Sequence, residues 1–453
     1  MKVDVLVCEI GSTTTVVNAF DLKNSKYVGQ GMYRTTVDSD VTIGVSNAIE
    51  DLKKKLGLDE LKYDELFATS SAAGGLKMSV HGLVHDMTVT AAYEAAVGAG
   101  ANIELVTSGK LRRSDIKQLK ELDPNIILIA GGVDFGERDT ALYNAEEIAK
   151  LKLNIPVIYA GNCQNIEDVK LIFEDYEQES FLKITENVYP RIDQLNVNPT
   201  RAIIHDTFEE HIIHAKGMDK IYEYVTSRVI PTPGAVLKAS ELLYEKYGNL
   251  ICFDIGGATT DLHSVSEDSE EVSKILVNPQ PKSKRTVEGD LGVYVNKNKV
   301  VSYIGEEVLA KRLNIDLDAL AKLIENYHVI PDGDAEVSLV TELAKQCVQS
   351  ALDRHAGKIS NQYLTGGSSQ VAEGKDLTGV ETIICTGGAL TKLPTREEII
   401  HSIFSLNSTN KLYPSKHCKI LYDNHYIMAS IGVLSLSYPE DALALLENSF
   451  KNK

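Results

Sequence analysis

Short apolar runs alternate along the chain with helix-like apolar spacings, and together they predict a mixed α/β protein. Runs of four to eight apolar residues that end in glycine or small polar residues are typical of buried strands, whereas apolar residues three or four apart are typical of helices. Near the N-terminus, this pattern predicts an antiparallel meander of strands over 3–10, 15–21 and 26–34. It then predicts a helix over 41–55, and within 66–75 a strand that runs into a small-residue turn.

The region from about 103 to 173 follows a strand–helix rhythm, after a further predicted strand over 76–83. Its predicted strands are 103–106, 126–130 and 157–160, and its predicted helices are 113–122, 137–151 and 166–173. Such alternation predicts a small parallel sheet of the open α/β kind. Residues 131–136 (GGVDFG) follow the middle strand, where open sheets tend to place ligands. An ordinary glycine-rich turn explains this stretch equally well.

The second half of the chain begins after a proline-rich breaker at 230–234 and a predicted connector helix over 235–247. The further predicted helices are 305–313, 317–327, 335–354 and 426–436. The last helix contains Ala429, Ser430 and Gly432, whose small size is expected to permit close packing against a sheet.

One strand–turn pattern occurs twice. Residues 5–15 (VLVCEIGSTTT) and 250–260 (LICFDIGGATT) align without a gap, which places Glu9 on Asp254 and Gly11 on Gly256. Glycine lets a ligand approach the backbone, the N–H and hydroxyl groups of such a turn hold phosphate oxygens, and a preceding carboxylate is suited to a hard cation. Two such loops that face each other would clamp a nucleotide.

A third strand–glycine element, 382–390 (TIICTGGAL), ends in Gly387 and Gly388. A Gly-Gly turn after a buried strand leaves a flat surface without side chains, which suits an adenine ring or a ribose. Following the two repeated loops, it completes a set of three candidate nucleotide contacts.

Composition limits the classes of function. A chain of 453 residues is expected to form more than one domain, and 43% hydrophobic with 24% charged residues is ordinary for a soluble protein. A net charge of −18 argues against nucleic acid or an anionic membrane as a partner, but not against ATP, which loops bind locally. The apolar runs are too short for a membrane span, and the N-terminus enters a strand directly, so we expect a cytoplasmic protein.

Neither the cysteines nor the histidines indicate a metal centre. The six cysteines are scattered without a Cys-x-x-Cys pair, which predicts buried thiols at Cys8, Cys252 and Cys385 rather than disulfides, zinc or an iron–sulfur cluster. His205, His211 and His214 raise a metal hypothesis, but a surface position is favoured. Residues 282–292 are predicted to be a loop, either an ordinary solvated one or one that closes over a charged ligand.

The two repeated loops, the connector helix and the late Gly-Gly turn resemble the actin-like ATPase superfamily, which includes actin, sugar kinases and the large heat-shock chaperones. The resemblance implies an α/β actin-like ATPase fold, in which two duplicated ribonuclease H-like domains flank a nucleotide cleft. It implies a first domain at 1–100, an inserted parallel α/β subdomain at 101–200, a return with the connector helix at 201–247, and a second domain at 248–453.

The resemblance also implies roles for individual residues, with ATP and Mg²⁺ as cofactors. Glu9 and Asp254 would hold Mg²⁺, although the family's first motif usually has aspartate where this chain has Glu9. Asp254 or Asp261 would orient the attacking water, and Asp254 is preferred because it occupies the repeated acid position. The nucleotide contacts implied are Gly11, Ser12, Thr13 and Thr14 in the first loop, Gly256, Gly257, Ala258 and Thr259 in the second, and Gly387 and Gly388 at the nucleoside.

A closer resemblance rests on the stretches 8–15 (CEIGSTTT), 254–261 (DIGGATTD), 286–292 (TVEGDLG) and 386–388 (TGG). Together they resemble the GlmL/MutL family of glutamate mutase accessory proteins, which is unrelated to the mismatch-repair protein of the same name. The resemblance implies a reactivating chaperone that uses ATP to open an adenosylcobalamin-dependent mutase so that intact cofactor can enter.

Three other functions stay open at this point. A small-molecule kinase would need a substrate-binding set that the sequence does not identify. An ATP-driven electron-transfer activator would need cysteine ligands for a bridging iron–sulfur cluster, which the scattered cysteines do not provide. A nucleotide-sensing scaffold would bind ATP without hydrolysing it.

Overall fold

The structure is a computed structural model that describes residues 1–11, 14–36, 40–70, 76–98, 101–214, 220–226, 229–277, 280–364 and 367–451. It divides into two compact units. Unit 1 comprises Met1–Val236, Asn278–Pro281 and Gly432–Asp441. Unit 2 comprises Leu237–Val277, Lys282–Ile431 and Ala442–Lys453, so that the predicted connector helix contains the first boundary between the units.

The strands, in chain order, are β1 (Lys2–Ile10), β2 (Thr14–Asp21), β3 (Lys26–Arg34), β4 (Lys62–Ser70), β5 (Leu76–Gly82), β6 (Ala101–Ser108), β7 (Ile126–Ile129), β8 (Val157–Tyr159), β9 (Leu182–Ile184), β10 (Val229–Pro231), β11 (Leu250–Ile255), β12 (Thr260–Val265), β13 (Ser283–Glu288), β14 (Lys358–Leu364), β15 (Gly367–Glu373), β16 (Thr382–Thr386) and β17 (Lys419–Tyr422).

The α-helices are α1 (Val41–Leu56), α2 (Thr90–Gly98), α3 (Arg113–Leu122), α4 (Asp139–Ala149), α5 (Ile166–Asp175), α6 (Val197–His214), α7 (Thr232–Tyr247), α8 (Glu270–Ser273), α9 (Lys297–Ile304), α10 (Glu306–Leu313), α11 (Leu317–Asn326), α12 (Gly333–His355), α13 (Gly388–Lys392), α14 (Arg396–His401), α15 (Met428–Leu434) and α16 (Pro439–Lys451). A π-helical turn covers His85–Val89, and short 3₁₀ turns cover Cys163–Asn165, Glu179–Phe181, Ile221–Glu223 and Ser402–Ser405.

The first sheet of unit 1 has the strand order β3-β2-β1-β4-β10. β1, β2 and β3 form the predicted antiparallel meander, and β4 and β10 continue the sheet in parallel with β1. Helix α1 lies against β3 at Gly31, where a Cβ atom would overlap the carbonyl oxygen of Ala48. Glycine in this strand therefore permits the close approach of helix and sheet.

The second sheet of unit 1 is fully parallel, as the strand–helix rhythm predicts, and has the order β6-β5-β7-β8-β9. Strand β5 lies between β6 and β7, so this sheet begins before the stretch in which the rhythm is visible. Strand β9 has three residues of intermediate burial, too short and too weakly apolar to stand out in the sequence. One core cluster contains buried residues of both sheets, and the other face of the second sheet packs in a separate cluster.

The main sheet of unit 2 has the order β13-β12-β11-β16-β17, with an antiparallel meander of three strands and two parallel additions. The order and directions match those of the first sheet strand by strand. The duplication that the sequence shows over one hairpin therefore extends to five strands. Helix α12 buries one face against this sheet in a second core, and β14 and β15 form a separate hairpin.

Two expectations need correction. Residues 282–292 are not simply a loop, because Ser283–Glu288 pair with β12 as the edge strand β13 and only the residues after it turn. In α15, Gly432 lies against the backbone of a helix rather than the sheet, since a Cβ atom there would overlap the carbonyl of Ala235 in α7. The closing helix α16 was not predicted.

Candidate functional site

The two repeated hairpins share one backbone hydrogen bond at the turn. The N–H of Gly11 donates to the carbonyl of Thr14 at 3.0 Å, and the N–H of Gly256 donates to that of Thr259 at 2.9 Å. A side chain at either glycine would crowd that carbonyl, because the added Cβ atom would lie 2.7 Å from it in the first hairpin and 3.3 Å in the second. Both glycines therefore shape the turn and use their N–H groups within it.

In unit 2, the turn presents a row of backbone donors. Gly257 is exposed, and Ala258 and Thr259 are half-buried. Among the described residues, no hydrogen-bond partner is found for the N–H groups of these three residues. Their carbonyl side is occupied, since the carbonyls of Gly256 and Gly257 accept from a following turn. Adjacent N–H groups of this kind form a concave anion site.

Two carboxylates lie side by side just before this turn. Asp254 in β11 is directly opposite Asp261 in β12. Asp254 is half-buried, whereas Asp261 is buried and lies 3.5 Å from Nη2 of Arg285, which is 3% exposed. Burial raises the pKa of Asp261 above its ordinary value, and Arg285 opposes that rise. Asp254 is the more accessible acid, which suits it better to contact a ligand.

The acid of the first hairpin has a different environment. Glu9 is only 7% exposed, and its Oε1 accepts from Nδ2 of Asn18 at 3.2 Å. Oδ1 of Asn18 in turn accepts from Nε2 of Gln30 at 2.9 Å, which links the three strands of the meander. Val16 is opposite Glu9 in β2, where the second hairpin has Asp261. Gly11 and Thr14 belong to this hairpin, while the predicted contacts Ser12 and Thr13 lie outside the described residues.

The predicted nucleoside motif lies beside Asp254. Gly387 has a φ of +84°, and a Cβ atom there would lie 2.6 Å from Oδ1 of Asp254. Only glycine fits this backbone conformation without strain. Gly388 begins α13, and its α-carbon faces open space. Unit 2 therefore brings together Asp254, the turn that follows it, and both glycines of the motif.

Sequence reasoning missed three residues of this region in unit 2. Arg285 pairs with Asp261, Asn296 contacts the turn at 256–259, and Arg354 forms ion pairs with Glu288 and Asp290. The stretch 286–292 carried a signal, because it combines two acids and two glycines in a short run. Asn296 carried none, because it lies outside every element that the sequence predicts and helix α9 after it was not predicted.

A separate pocket lies in the parallel sheet of unit 1. It has a volume of about 510 Å³ and is lined in part by Asp134, Gly161 and Asn187, which follow β7, β8 and β9. The Gly131-Gly132 turn has positive φ angles of +145° and +69°. The predicted glycine-rich turn thus borders a pocket at the carboxyl edge of the sheet, and both of its interpretations stay open.

Comparisons with known proteins identify the family of this chain. The family model described as MutL protein matches residues 5–450. Protein MutL of Clostridium tetanomorphum is 34% identical over 455 residues, which cover 98% of this chain and 98% of that protein. The chain belongs to the MutL family. Two of its five-stranded sheets repeat one strand order, which agrees with the duplicated domains of the actin-like ATPase fold that the sequence motifs predict.

The chain also has weaker similarity to proteins outside this family. A mitochondrial-type heat shock protein 70 of Encephalitozoon hellem is 25% identical over 210 residues, which are 42% of this chain and 33% of that protein. A nucleotide-free acetone carboxylase structure resembles the MutL-family chain with a TM-score of 0.41 and 10% identity, over 96% of this chain and 70% of that chain.

The described residues also bear on two other classes of site. They contain no helix long and apolar enough to cross a membrane. They also contain no group of three or more histidine, cysteine or acidic side chains suited to a metal ion. His205, His211 and His214 lie in α6, but their side chains are outside the described part of the chain, so that hypothesis is untested. Cys8, Cys252 and Cys385 are buried free thiols, as predicted.

Proposed function

We propose that this MutL-family chain binds and slowly hydrolyses ATP in order to reactivate an adenosylcobalamin-dependent mutase of the glutamate mutase or aminomutase type. The observation that carries the ATPase part is the turn after β11, where three adjacent backbone N–H groups lie next to a half-buried carboxylate. The mutase part is supported by membership of the MutL family and by the motifs that resemble glutamate mutase accessory proteins.

The residues of unit 2 suit a bound nucleoside triphosphate. The N–H groups of Gly257, Ala258 and Thr259 would donate to phosphate oxygens, and the glycines at 387 and 388 would leave room for the nucleoside. Asp254 would orient the attacking water, while Asp261 stays engaged by Arg285. In unit 1, Glu9 would be a second acid toward the cation, with Gly11, Ser12, Thr13 and Thr14 as contacts to the β-phosphate.

Mg²⁺ would neutralise part of the charge on the β- and γ-phosphates when bound. Carboxylates and water are the oxygen ligands that this cation prefers, and Asp254 with its half-exposed carboxylate fits that preference. Glu9 fits it less well, because it is nearly buried and already accepts from Asn18.

The first prediction concerns Asp254. Asp254→Asn keeps the size of the side chain but removes the charge that orients water, so we expect ATP turnover to fall at least 100-fold. Steady-state phosphate release, with far-UV circular dichroism as the measure of folding, checks this. Glu325→Gln is the matched control, since Glu325 is an exposed carboxylate of the same unit. Unchanged hydrolysis by Asp254→Asn would remove Asp254 from the mechanism.

The same assay separates the functional alternatives. Slow hydrolysis that rises when an inactivated adenosylcobalamin-dependent mutase is added supports the chaperone. Rapid ATP consumption that depends on a small acceptor would indicate a kinase, and ATP binding without turnover would indicate a sensing scaffold. A protein that binds no ATP would contradict all three.

A further inference from the structure

A turn that follows β13 supports the candidate phosphate loop from its carbonyl side. We call Gly289–Asn296 the supporting turn. Its backbone N–H groups donate to the loop at three points: Val293 to the carbonyl of Gly256 at 3.3 Å, and Tyr294 and Val295 to that of Gly257 at 2.9 and 2.7 Å. At Gly292 the two segments are in such close contact that a Cβ atom would overlap the carbonyl of Ala258.

Asn296 completes this support with its side chain. Its Nδ2 donates to the carbonyl of Ala258 at 2.7 Å and to that of Gly289 at 2.9 Å, so one amide group joins the phosphate loop to the start of the supporting turn. Asn296 also precedes α9 at the N-cap position, where asparagine usually accepts from the first turn of the helix. Here the side chain makes no capping bond. The amide therefore serves the loop instead of the helix.

Because the peptide bond is planar, holding a carbonyl group in place also orients the N–H group of the next residue. Each trans peptide is planar, so its C=O and the N–H of the next residue point in opposite directions. Holding the carbonyls of Gly256, Gly257 and Ala258 therefore fixes the directions of the next three N–H groups. Those belong to Gly257, Ala258 and Thr259, the three predicted phosphate donors.

We propose that Asn296 is a positioning residue for triphosphate binding, because it holds the third of these carbonyls and thus aims the N–H of Thr259. This inference rests on the proposed ATP-binding function. It makes Asn296 responsible for the contribution of the phosphates to affinity, and leaves the nucleoside contacts at Gly387 and Gly388 unaffected.

An ion-pair cluster holds the supporting turn from the other side. Arg354 of α12 donates to the carboxylates of Glu288 and Asp290, which flank the Gly289 whose carbonyl accepts from Asn296. The hydroxyl of Tyr303 donates to Oδ2 of Asp290 at 2.7 Å. Hydrogen bonding to Arg354 lowers the pKa of Asp290 to about 2, so this carboxylate stays ionised at neutral pH.

The test compares the dissociation constants of ATP and adenosine, measured by calorimetry with Mg²⁺ present. We expect Asn296→Ala to weaken ATP binding at least 10-fold and adenosine binding by less than twofold. Asn296→Asp should weaken ATP binding further, because a carboxylate of the same size would face the two carbonyl oxygens. Asn326→Ala is the control, since in the described part of the chain Nδ2 of that exposed residue donates to a carbonyl of its own helix and to no other group.

The outcomes distinguish a failure of the proposed function from a failure of this inference alone. Wild-type protein that binds no ATP would contradict both. Wild-type binding together with unchanged ATP affinity in Asn296→Ala would overturn the inference alone, as would equal losses of ATP and adenosine, which indicate general disruption.

Discussion

Positions 16 and 261 are equivalent in the two hairpins, but they carry side chains of different chemistry. Both face the acid of the preceding strand, but one is aspartate and the other is valine. Like charges on neighbouring strands repel each other, and Arg285 offsets that repulsion in unit 2. Unit 2 thus concentrates two carboxylates and one guanidinium next to its turn. This is why the proposed mechanism assigns the water-orienting acid to unit 2.

The buried side chain of His263 leads to a prediction about stability. It is fully buried in β12, and neither ring nitrogen has a hydrogen-bond partner among the described residues. A buried polar group without a partner costs about 1–3 kcal/mol. We therefore expect His263→Leu, which keeps a similar volume, to raise the free energy of unfolding by about that amount. Urea unfolding at pH 7.5 measures it.

His355 provides the matched control for this prediction. It is also buried, but its Nδ1 and Nε2 are hydrogen-bonded to the hydroxyls of Thr286 and Ser264 at 2.9 and 2.8 Å. His355→Leu leaves those hydroxyls without a partner, so it should lower the stability by about 1–3 kcal/mol. A change of the same sign in both variants would contradict the argument from hydrogen bonding.

At the scale of elements, the packing of α1 on β3 depends on two glycines with different neighbours. A Cβ atom at Gly31 would overlap backbone atoms of α1, whereas one at Gly29 would lie 3.2 Å from the ends of two flexible leucine side chains. Gly31→Ala must push the helix away from the sheet, and we expect it to cost about 1–3 kcal/mol. Gly29→Ala should cost less than about 1 kcal/mol, because the leucines can move.

Thermal unfolding of the two variants checks this prediction with the same substitution in the same strand. A larger loss for Gly29→Ala than for Gly31→Ala would show that the helix moves more easily than the leucine side chains. Equal losses would show that the backbone contact at Gly31 is no more costly to relieve than the leucine contact at Gly29.

The elements that the sequence predicts best are those whose signal is local. The hairpins at Gly11 and Gly256 combine an apolar strand, an acid and a glycine turn within a dozen residues, and their fold follows as predicted. Strand β13 could not be predicted in this way, because its lysine and arginine suggest a solvated loop. Pairing with β12 buries Arg285 against Asp261, a partner 24 residues earlier.

In the candidate site too, the sequence predicts only the residues whose signal is local. Asp254, the turn after it and Gly387 could be predicted because each lies directly after a buried strand. Asn296 lies 38 residues beyond Ala258, in a stretch for which the sequence predicts no element. Its contact with the loop depends on how β13 and the supporting turn fold back, which no periodicity encodes. The domain boundaries and the roles of the site residues stay predictions.

At the scale of the whole molecule, buried histidines couple the stability of both units to pH. His81 in unit 1 and His263 and His355 in unit 2 are at most 1% exposed. Burial lowers the pKa of His81 to about 4 and lowers the pKa values of the other two well below the ordinary value. All three are therefore neutral in the folded protein at pH values where the unfolded chain takes up protons.

This difference predicts a loss of stability in mild acid. Below about pH 6.5 the unfolded state binds a proton at each of these histidines and the folded state does not, so stability falls with pH. Between pH 7.5 and 5.5, we expect the three histidines together to lower the free energy of unfolding by about 4 kcal/mol, or about 1.4 kcal/mol each. His81→Gln, which can still hydrogen-bond, should remove one third of that loss in urea unfolding, and His417→Gln, at an exposed position, should not. If His81→Gln loses as much stability as the wild type over this range, then His81 takes up its proton in the folded state, and burial does not keep it neutral.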